Sequence, residues 1–92
     1  MTSNERIELF QRGILAIEKL ESVYPSYPPF ESIRNQLLFL LGQASGAAED
    51  REQLSQINLG YIVMREVESR DAAAADLLYL VSEEAGRMLT ES

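Results

Sequence analysis

Residues 7–24 read IELFQRGILAIEKLESVY, and this stretch decides the fold class because its apolar positions recur every three or four residues. Such spacing places the apolar side chains on one face of an amphipathic helix and leaves the charged side chains off that face. Thr2 and Glu5 have the spacing of a capping box, which predicts that the helix begins near residue 3. Pro25 disfavours the helical conformation at Tyr24, so the helix is expected to end just before it.

The same spacing continues along the chain and predicts three more helices. Pro28 suits the first turn of the second helix, and either Ser69 or Asp71 caps the fourth. The predicted helices cover residues 3–23, 28–43, 49–68 and 71–89. Four helices joined by short connections indicate an all-α fold, a small antiparallel bundle that forms one helical domain over residues 1–92.

The third predicted helix is the least regular of the four. Its buried stripe is expected to consist of Leu54, Ile57, Tyr61, Met64 and Val67. A strand over residues 59–67 is the alternative, because several side chains in this range favour strands. Gly60 is unusual inside a helix, and it indicates either a close helix crossing or a shallow notch beside Tyr61.

The second predicted helix is apolar on most of its surface, which makes it the central helix of the bundle. Leu37 lies in its middle and is expected to be buried. Together, the second and third helices carry more apolar surface than their neighbours can cover in so small a bundle. This excess predicts that the free protein forms a homodimer.

The composition argues against most enzyme classes. The chain has no cysteine and no histidine, which excludes disulfides, thiolate zinc sites, cysteine nucleophiles and imidazole chemistry. Carboxylate pairs remain, but Glu66 and Glu68 do not face each other on a helix, and neither do Glu83 and Glu84. These acids are expected to form solvated faces. The sequence therefore predicts no catalytic residue, no cofactor site and no metal site.

The charge balance indicates the kind of partner. Fifteen acidic residues against eight basic ones give a net charge of −7, which disfavours nucleic acid and anionic membranes and favours a basic protein. The longest apolar run, Leu37–Leu41, is too short to span a bilayer. Residues 1–4 lack the basic start of a secretory signal, so a cytoplasmic location is expected.

Several short motifs occur in an order that is found in a known family. They are Tyr24-Pro25-x-Tyr27, Gln36-Leu37, Leu54-x-x-Ile57-x-Leu59-Gly60-x-Ile62-x-x-x-Glu66, and Asp71 before the last helix. Between Ile7 and Met88 the chain resembles the small helical immunity proteins of bacterial type VI secretion systems, in particular those that neutralise an NAD(P)+-glycohydrolase toxin. The resemblance implies a non-enzymatic protein that binds and inhibits a cognate toxin by occluding its active site. A helical adaptor or oligomerisation module with no toxin partner remains the alternative.

A toxin that binds anionic nucleotides has a basic cleft, and acidic and aromatic side chains are the ones expected to meet it. The predicted toxin-binding residues are Tyr24 and Tyr27 in the loop after the first helix, and Tyr61, Arg65, Glu66, Glu68 and Asp71 further along. Glu66 either takes the place of a substrate phosphate or pairs with Arg70, four residues on. If this face is not used, the acidic last helix around Asp76, Glu83 and Glu84 is the next choice.

Overall fold

A computed structural model of the protein describes residues 1–47 and 49–91, so residues 48 and 92 of the expected single domain lie outside the described part. The structure is helical throughout that part and contains no strand there, which confirms the all-α prediction and rules out the strand alternative over residues 59–67. The helices are α1 (Ser3–Val23), α2 (Pro28–Ala44), α3 (Arg51–Leu54), α4 (Leu59–Ile62), which continues directly into a π-helical segment (Val63–Val67), and α5 (Ala72–Thr90).

The ends of the long helices follow from local sequence signals. The Thr2 hydroxyl accepts a hydrogen bond from the Glu5 amide at 3.2 Å, and the Glu5 carboxylate accepts one from the Thr2 amide at 2.9 Å. The predicted capping box is therefore confirmed. Ser26 has a φ of 58°, in the left-handed region, and this residue turns the chain between α1 and α2. Asp71 caps α5 by accepting a hydrogen bond from the Ala74 amide at 3.0 Å.

Four helical units surround one apolar core. α1 packs against α2 and α5, and α4 with the π-helical segment packs against the other side of the same two helices. Leu37 is completely buried between them, as predicted. A Cβ atom on Gly13 would lie 3.0 Å from Leu37 Cδ2 and 3.3 Å from Val81 Cγ2, so the glycine allows α1 to pack closely against its neighbours. Other fully buried core side chains are Phe10, Ile17, Phe30, Ile33, Leu40, Leu59, Val63, Val67 and Leu78.

The third helix is not the continuous helix predicted over residues 49–68. It is divided into α3 and α4 by a break over residues 55–58. The side chain of Gln36 in α2 holds this break in place. Its Oε1 accepts a hydrogen bond from the Asn58 amide at 2.9 Å, and its Nε2 donates one to Asn58 Oδ1 at 2.7 Å. These bonds fix Asn58 in a non-helical conformation with φ −134° and ψ 21°.

The predicted buried stripe of the third helix is also wrong in part. Leu54 and Val67 are buried, but Tyr61 and Met64 are exposed, and Val63 is buried in their place. Two features make this region differ from a continuous helix: the break over residues 55–58 and the π-helical segment. In that segment the Glu68 amide donates to the Val63 carbonyl at 3.0 Å, an i→i+5 bond that places one extra residue in the turn.

Gly60 marks a close helix crossing, the first of its two predicted roles. A Cβ atom at this position would lie 2.6 Å from Ser82 Oγ and 3.3 Å from Ser82 Cβ. The bare backbone of α4 therefore lies directly against α5. This contact fixes the position of Tyr61, the next residue in the chain.

The prediction that Glu84 lies on a solvated acidic face is wrong. Glu84 is 1% exposed, and its carboxylate pairs with Arg6 at 2.7 Å and with Arg87 at 2.9 Å. Burial raises the pKa of Glu84, but the hydrogen bonds and positive charges of the two arginines lower that pKa by more, so the group stays ionised. Arg6 also contacts Glu91 at 2.9 Å and thereby joins the first turns of α1 to the end of α5.

Candidate functional site

Three aromatic rings and one guanidinium form a cluster at the start of α2. The rings of Tyr24 and Tyr27 pack edge-on against Phe30, with centroid distances of 5.9 Å and 4.9 Å. Arg70 lies over all three rings, 5.1 Å from the centroid of Tyr24, 5.2 Å from that of Tyr27 and 5.8 Å from that of Phe30. We call Tyr24, Tyr27, Phe30 and Arg70 the aromatic cluster. These cation–π contacts fasten the loop after α1 to the segment before α5.

Glu66 completes the attachment between this loop and the π-helical segment. The Tyr27 hydroxyl donates a hydrogen bond to Glu66 Oε1, and Arg70 donates to the Glu66 carbonyl at 2.6 Å and to its Oε1 at 3.4 Å. The Tyr27 hydrogen bond is the main cause that lowers the pKa of Glu66, and the same bond raises the pKa of Tyr27. Of the two predicted roles of Glu66, pairing with Arg70 is the one present in this structure.

Tyr61 and Arg65 lie on the exposed face of α4 and the π-helical segment. Arg65 Nη1 donates a hydrogen bond to the Tyr61 hydroxyl at 2.8 Å, and its guanidinium lies 5.6 Å from the centroid of the Tyr61 ring. Met64 is exposed on the same face, three residues after Tyr61. A groove of about 360 Å³ runs beside Tyr61 and Arg65, and Pro28 and Pro29 also line it. We call Pro28, Pro29, Tyr61, Met64 and Arg65 the Tyr61 surface.

Glu68 and Asp71, the last two predicted toxin-binding residues, bond to other residues of this chain. The carboxylate of Glu68 accepts a hydrogen bond from the Tyr79 hydroxyl, which raises the pKa of that tyrosine. The carboxylate of Asp71 caps α5. The structure thus brings Tyr24, Tyr27 and Glu66 together, with Tyr61 and Arg65 on the neighbouring face. Glu68 and Asp71 bond within the bundle and join neither group.

Arg70 and Met64 belong to this region, but the sequence does not predict them as site residues. Arg70 was considered only as an alternative partner of Glu66, although it holds the whole aromatic cluster. Its i,i+4 spacing from Glu66 is visible in the sequence, but its position over the rings depends on tertiary packing. Met64 was placed in the core and is exposed. The alternative site on α5 is weakened as well, because Glu84 is buried and paired.

Comparison with known proteins identifies the family. A model of the Tsi6 family matches residues 5–86, which is most of the chain. The chain belongs to the Tsi6 family. Tsi6 proteins are immunity proteins of type VI secretion systems, so the resemblance found in the sequence motifs is confirmed. A search of curated proteins and a search of solved structures gave no match.

Membership of the Tsi6 family implies that the binding partner is a cognate toxin. Tsi6 is not a family of enzymes. No helix within residues 1–47 and 49–91 is long and apolar enough to cross a membrane. In the same residues, no three acidic side chains are grouped in a way that could hold a metal ion.

Proposed function

We propose that this Tsi6 protein neutralises its toxin by covering the toxin's active site with the Tyr61 surface and the adjoining aromatic cluster. The observation that carries the proposal is the exposure of Tyr61, Met64 and Arg65 on one helix face. Tyrosine, methionine and arginine are enriched at protein interfaces, and tyrosine and arginine often dominate the binding energy. A π-helical segment under this face adds support, since such segments are frequent at functional sites.

The loop of Tyr24 and Tyr27 contributes pre-organisation in this proposal. The bonds from Tyr27 and Arg70 to Glu66 hold the loop before any partner arrives, so little conformational entropy is lost on binding. Most of the seven predicted residues therefore keep a role, but not the same one. Tyr61 and Arg65 contact the toxin, and Tyr24 and Tyr27 hold the surface in position. Glu66 both anchors Tyr27 and presents its second carboxylate oxygen to the toxin. Glu68 and Asp71 support the bundle.

The toxin that we propose is an NAD(P)+-glycohydrolase or another effector that uses a nucleotide, with a basic binding cleft. The motif resemblance supports this identity, and the net charge of −7 supports a basic partner. Glu66 Oε2 accepts no hydrogen bond from any residue in the described part of the chain, and the side chain is 22% exposed. We propose that this oxygen faces a basic group of the cleft. The encounter takes place in the cytoplasm of the producing cell.

The test measures affinity for the purified toxin domain encoded beside the gene for this protein. Met64→Ala and Leu80→Ala are a matched pair, because the two side chains are 54% and 52% exposed but lie on different helices. Met64→Ala, Tyr61→Ala and Arg65→Ala should each weaken binding about tenfold or more, whereas Leu80→Ala should not. Circular dichroism verifies that each variant is folded. If the Met64 and Leu80 variants bind equally and Tyr61→Ala binds like the parent, the interface lies elsewhere.

A further inference from the structure

A second groove, of about 460 Å³, lies between α2 and the segment of α3. Pro28 lines this groove and also the groove of the Tyr61 surface, so the two adjoin. Four of its nine lining side chains are amides, and Glu31 lies on the α2 side; the amides are those of Asn35, Gln36, Gln53 and Gln56. We call this feature the amide groove. A shallower depression of about 310 Å³ continues it past Gln53 and Gln56 toward two further carboxylates, those of Asp50 and Glu52.

The side-chain amides of this groove differ in whether they form hydrogen bonds within the chain. Gln36 is engaged, since it bonds to Asn58 and to Ser32 Oγ at 3.2 Å. The side chains of Asn35, Gln53 and Gln56 make no hydrogen bond to any residue in the described part of the chain, and all three are exposed. Each of them offers one oxygen acceptor and two N–H donors. The groove therefore presents both donors and acceptors along its length.

We propose that the amide groove holds an extended, basic segment of the toxin's polypeptide, an inference that rests on the proposed function. A peptide backbone presents N–H donors and C=O acceptors along its length, and side-chain amides can satisfy both kinds of group. Glu31, Asp50 and Glu52 flank the amides, so basic side chains on the segment gain ion pairs. Because Pro28 joins the groove to the Tyr61 surface, one toxin can contact both.

The first experiment compares amide variants in binding to the purified toxin domain. Gln53→Ala combined with Gln56→Ala should weaken binding about tenfold, because two hydrogen bonds to the toxin are removed. Gln11→Ala is the matched control, since Gln11 is an exposed amide on α1, outside the groove. Glu31→Gln should weaken binding at low salt more than at high salt. Binding by the double variant equal to that of the Gln11 variant would overturn the inference.

A second experiment locates the segment and does not depend on affinity. The chain has no cysteine, so Gln56→Cys provides a single attachment point for a photoreactive maleimide. Cross-linking to the toxin, followed by mass spectrometry, should identify one toxin peptide that contains lysine or arginine, and Gln11→Cys should give none. If Tyr61→Ala weakens binding but the Gln56 probe captures no toxin peptide, the amide groove is refuted and the proposed function stands. If Tyr61→Ala does not weaken binding and the Gln56 probe captures no toxin peptide, the Tyr61 surface is refuted as well.

Discussion

The contact between Gly60 and Ser82 gives a sharp test of how α4 is placed against α5. Replacing glycine by alanine inside a helix gains up to about 1 kcal/mol from backbone propensity. At Gly60 the added Cβ would lie 2.6 Å from Ser82 Oγ and 3.3 Å from Ser82 Cβ, so the Ser82 hydroxyl must rotate away or the helices must move apart. Overpacking of this kind costs about 1–3 kcal/mol. Gly60→Ala should therefore lower the free energy of unfolding by about 0–2 kcal/mol.

Gly86 provides the matched control. It lies in α5 with nothing within 4 Å of an added Cβ, so Gly86→Ala should raise the free energy of unfolding by up to about 1 kcal/mol. Urea unfolding followed by circular dichroism measures both variants. Ser82→Ala removes the nearest atom, so Gly60→Ala should cost less in that background, with a coupling of at least about 0.5 kcal/mol. Equal effects of the two glycine substitutions, or no coupling with Ser82, would refute the close crossing.

Four further outcomes are expected. Leu37→Ala should reduce the free energy of unfolding by about 2–5 kcal/mol in a urea titration, since the side chain is completely buried. Burial raises the pKa of Glu84, but its two arginines lower that pKa by more. The ionised carboxylate therefore stabilises the fold above pH 4.5, its ordinary pKa, and this stabilisation is lost as the pH falls through the lower pKa of the folded state. With stability expressed relative to pH 7, melting curves of Glu84→Gln should change less between pH 5 and pH 3 than those of the parent. Arg70→Met should increase amide hydrogen exchange in the loop of Tyr24 and weaken toxin binding, whereas unchanged exchange would contradict the role of the aromatic cluster. Light scattering at high micromolar concentration should show a homodimer of the free protein and a monomer for Tyr61→Ala; a monomeric parent would rule out self-association through the Tyr61 surface.

The long helices could be predicted because their signals are local. The capping box at Thr2 and the position of Pro25 set the bounds of α1, and the prediction of residues 3–23 agrees with the structure. For α2 and α5 the predicted bounds differ from the observed ones by one residue at most. Apolar spacing also identified Leu37 as buried, and Phe30, Ile33 and Leu40 of the same helix are buried with it.

The region of the third predicted helix could not be predicted, because distant contacts decide it. The break at Asn58 depends on hydrogen bonds from Gln36, a residue 22 positions earlier in the chain. The i→i+5 bond of the π-helical segment has no recognised sequence signal. These two features reversed the expected burial of Tyr61 and Met64.

For the candidate site, the sequence could indicate that some of the residues lie near each other, but not how they are held together. The sequence grouped Tyr24, Tyr27 and Glu66, and the structure places them in direct or neighbouring contact. The sequence could not indicate which charged side chains contact residues that lie far away in the chain. Arg70 lies over three rings from another part of the chain, and Glu84 is buried because its partner Arg6 comes from the first helix, 78 positions away.

The hydrogen bond between Tyr27 and Glu66 makes the loop after α1 insensitive to pH over a wide range. The bond needs a neutral phenol and an ionised carboxylate, and the environment raises the pKa of Tyr27 above its ordinary 10.0 and lowers that of Glu66 below its ordinary 4.5. The chain has no histidine or cysteine that changes charge or oxidation state between those limits. The Tyr27–Glu66 hydrogen bond therefore keeps one protonation state at every pH between those two values.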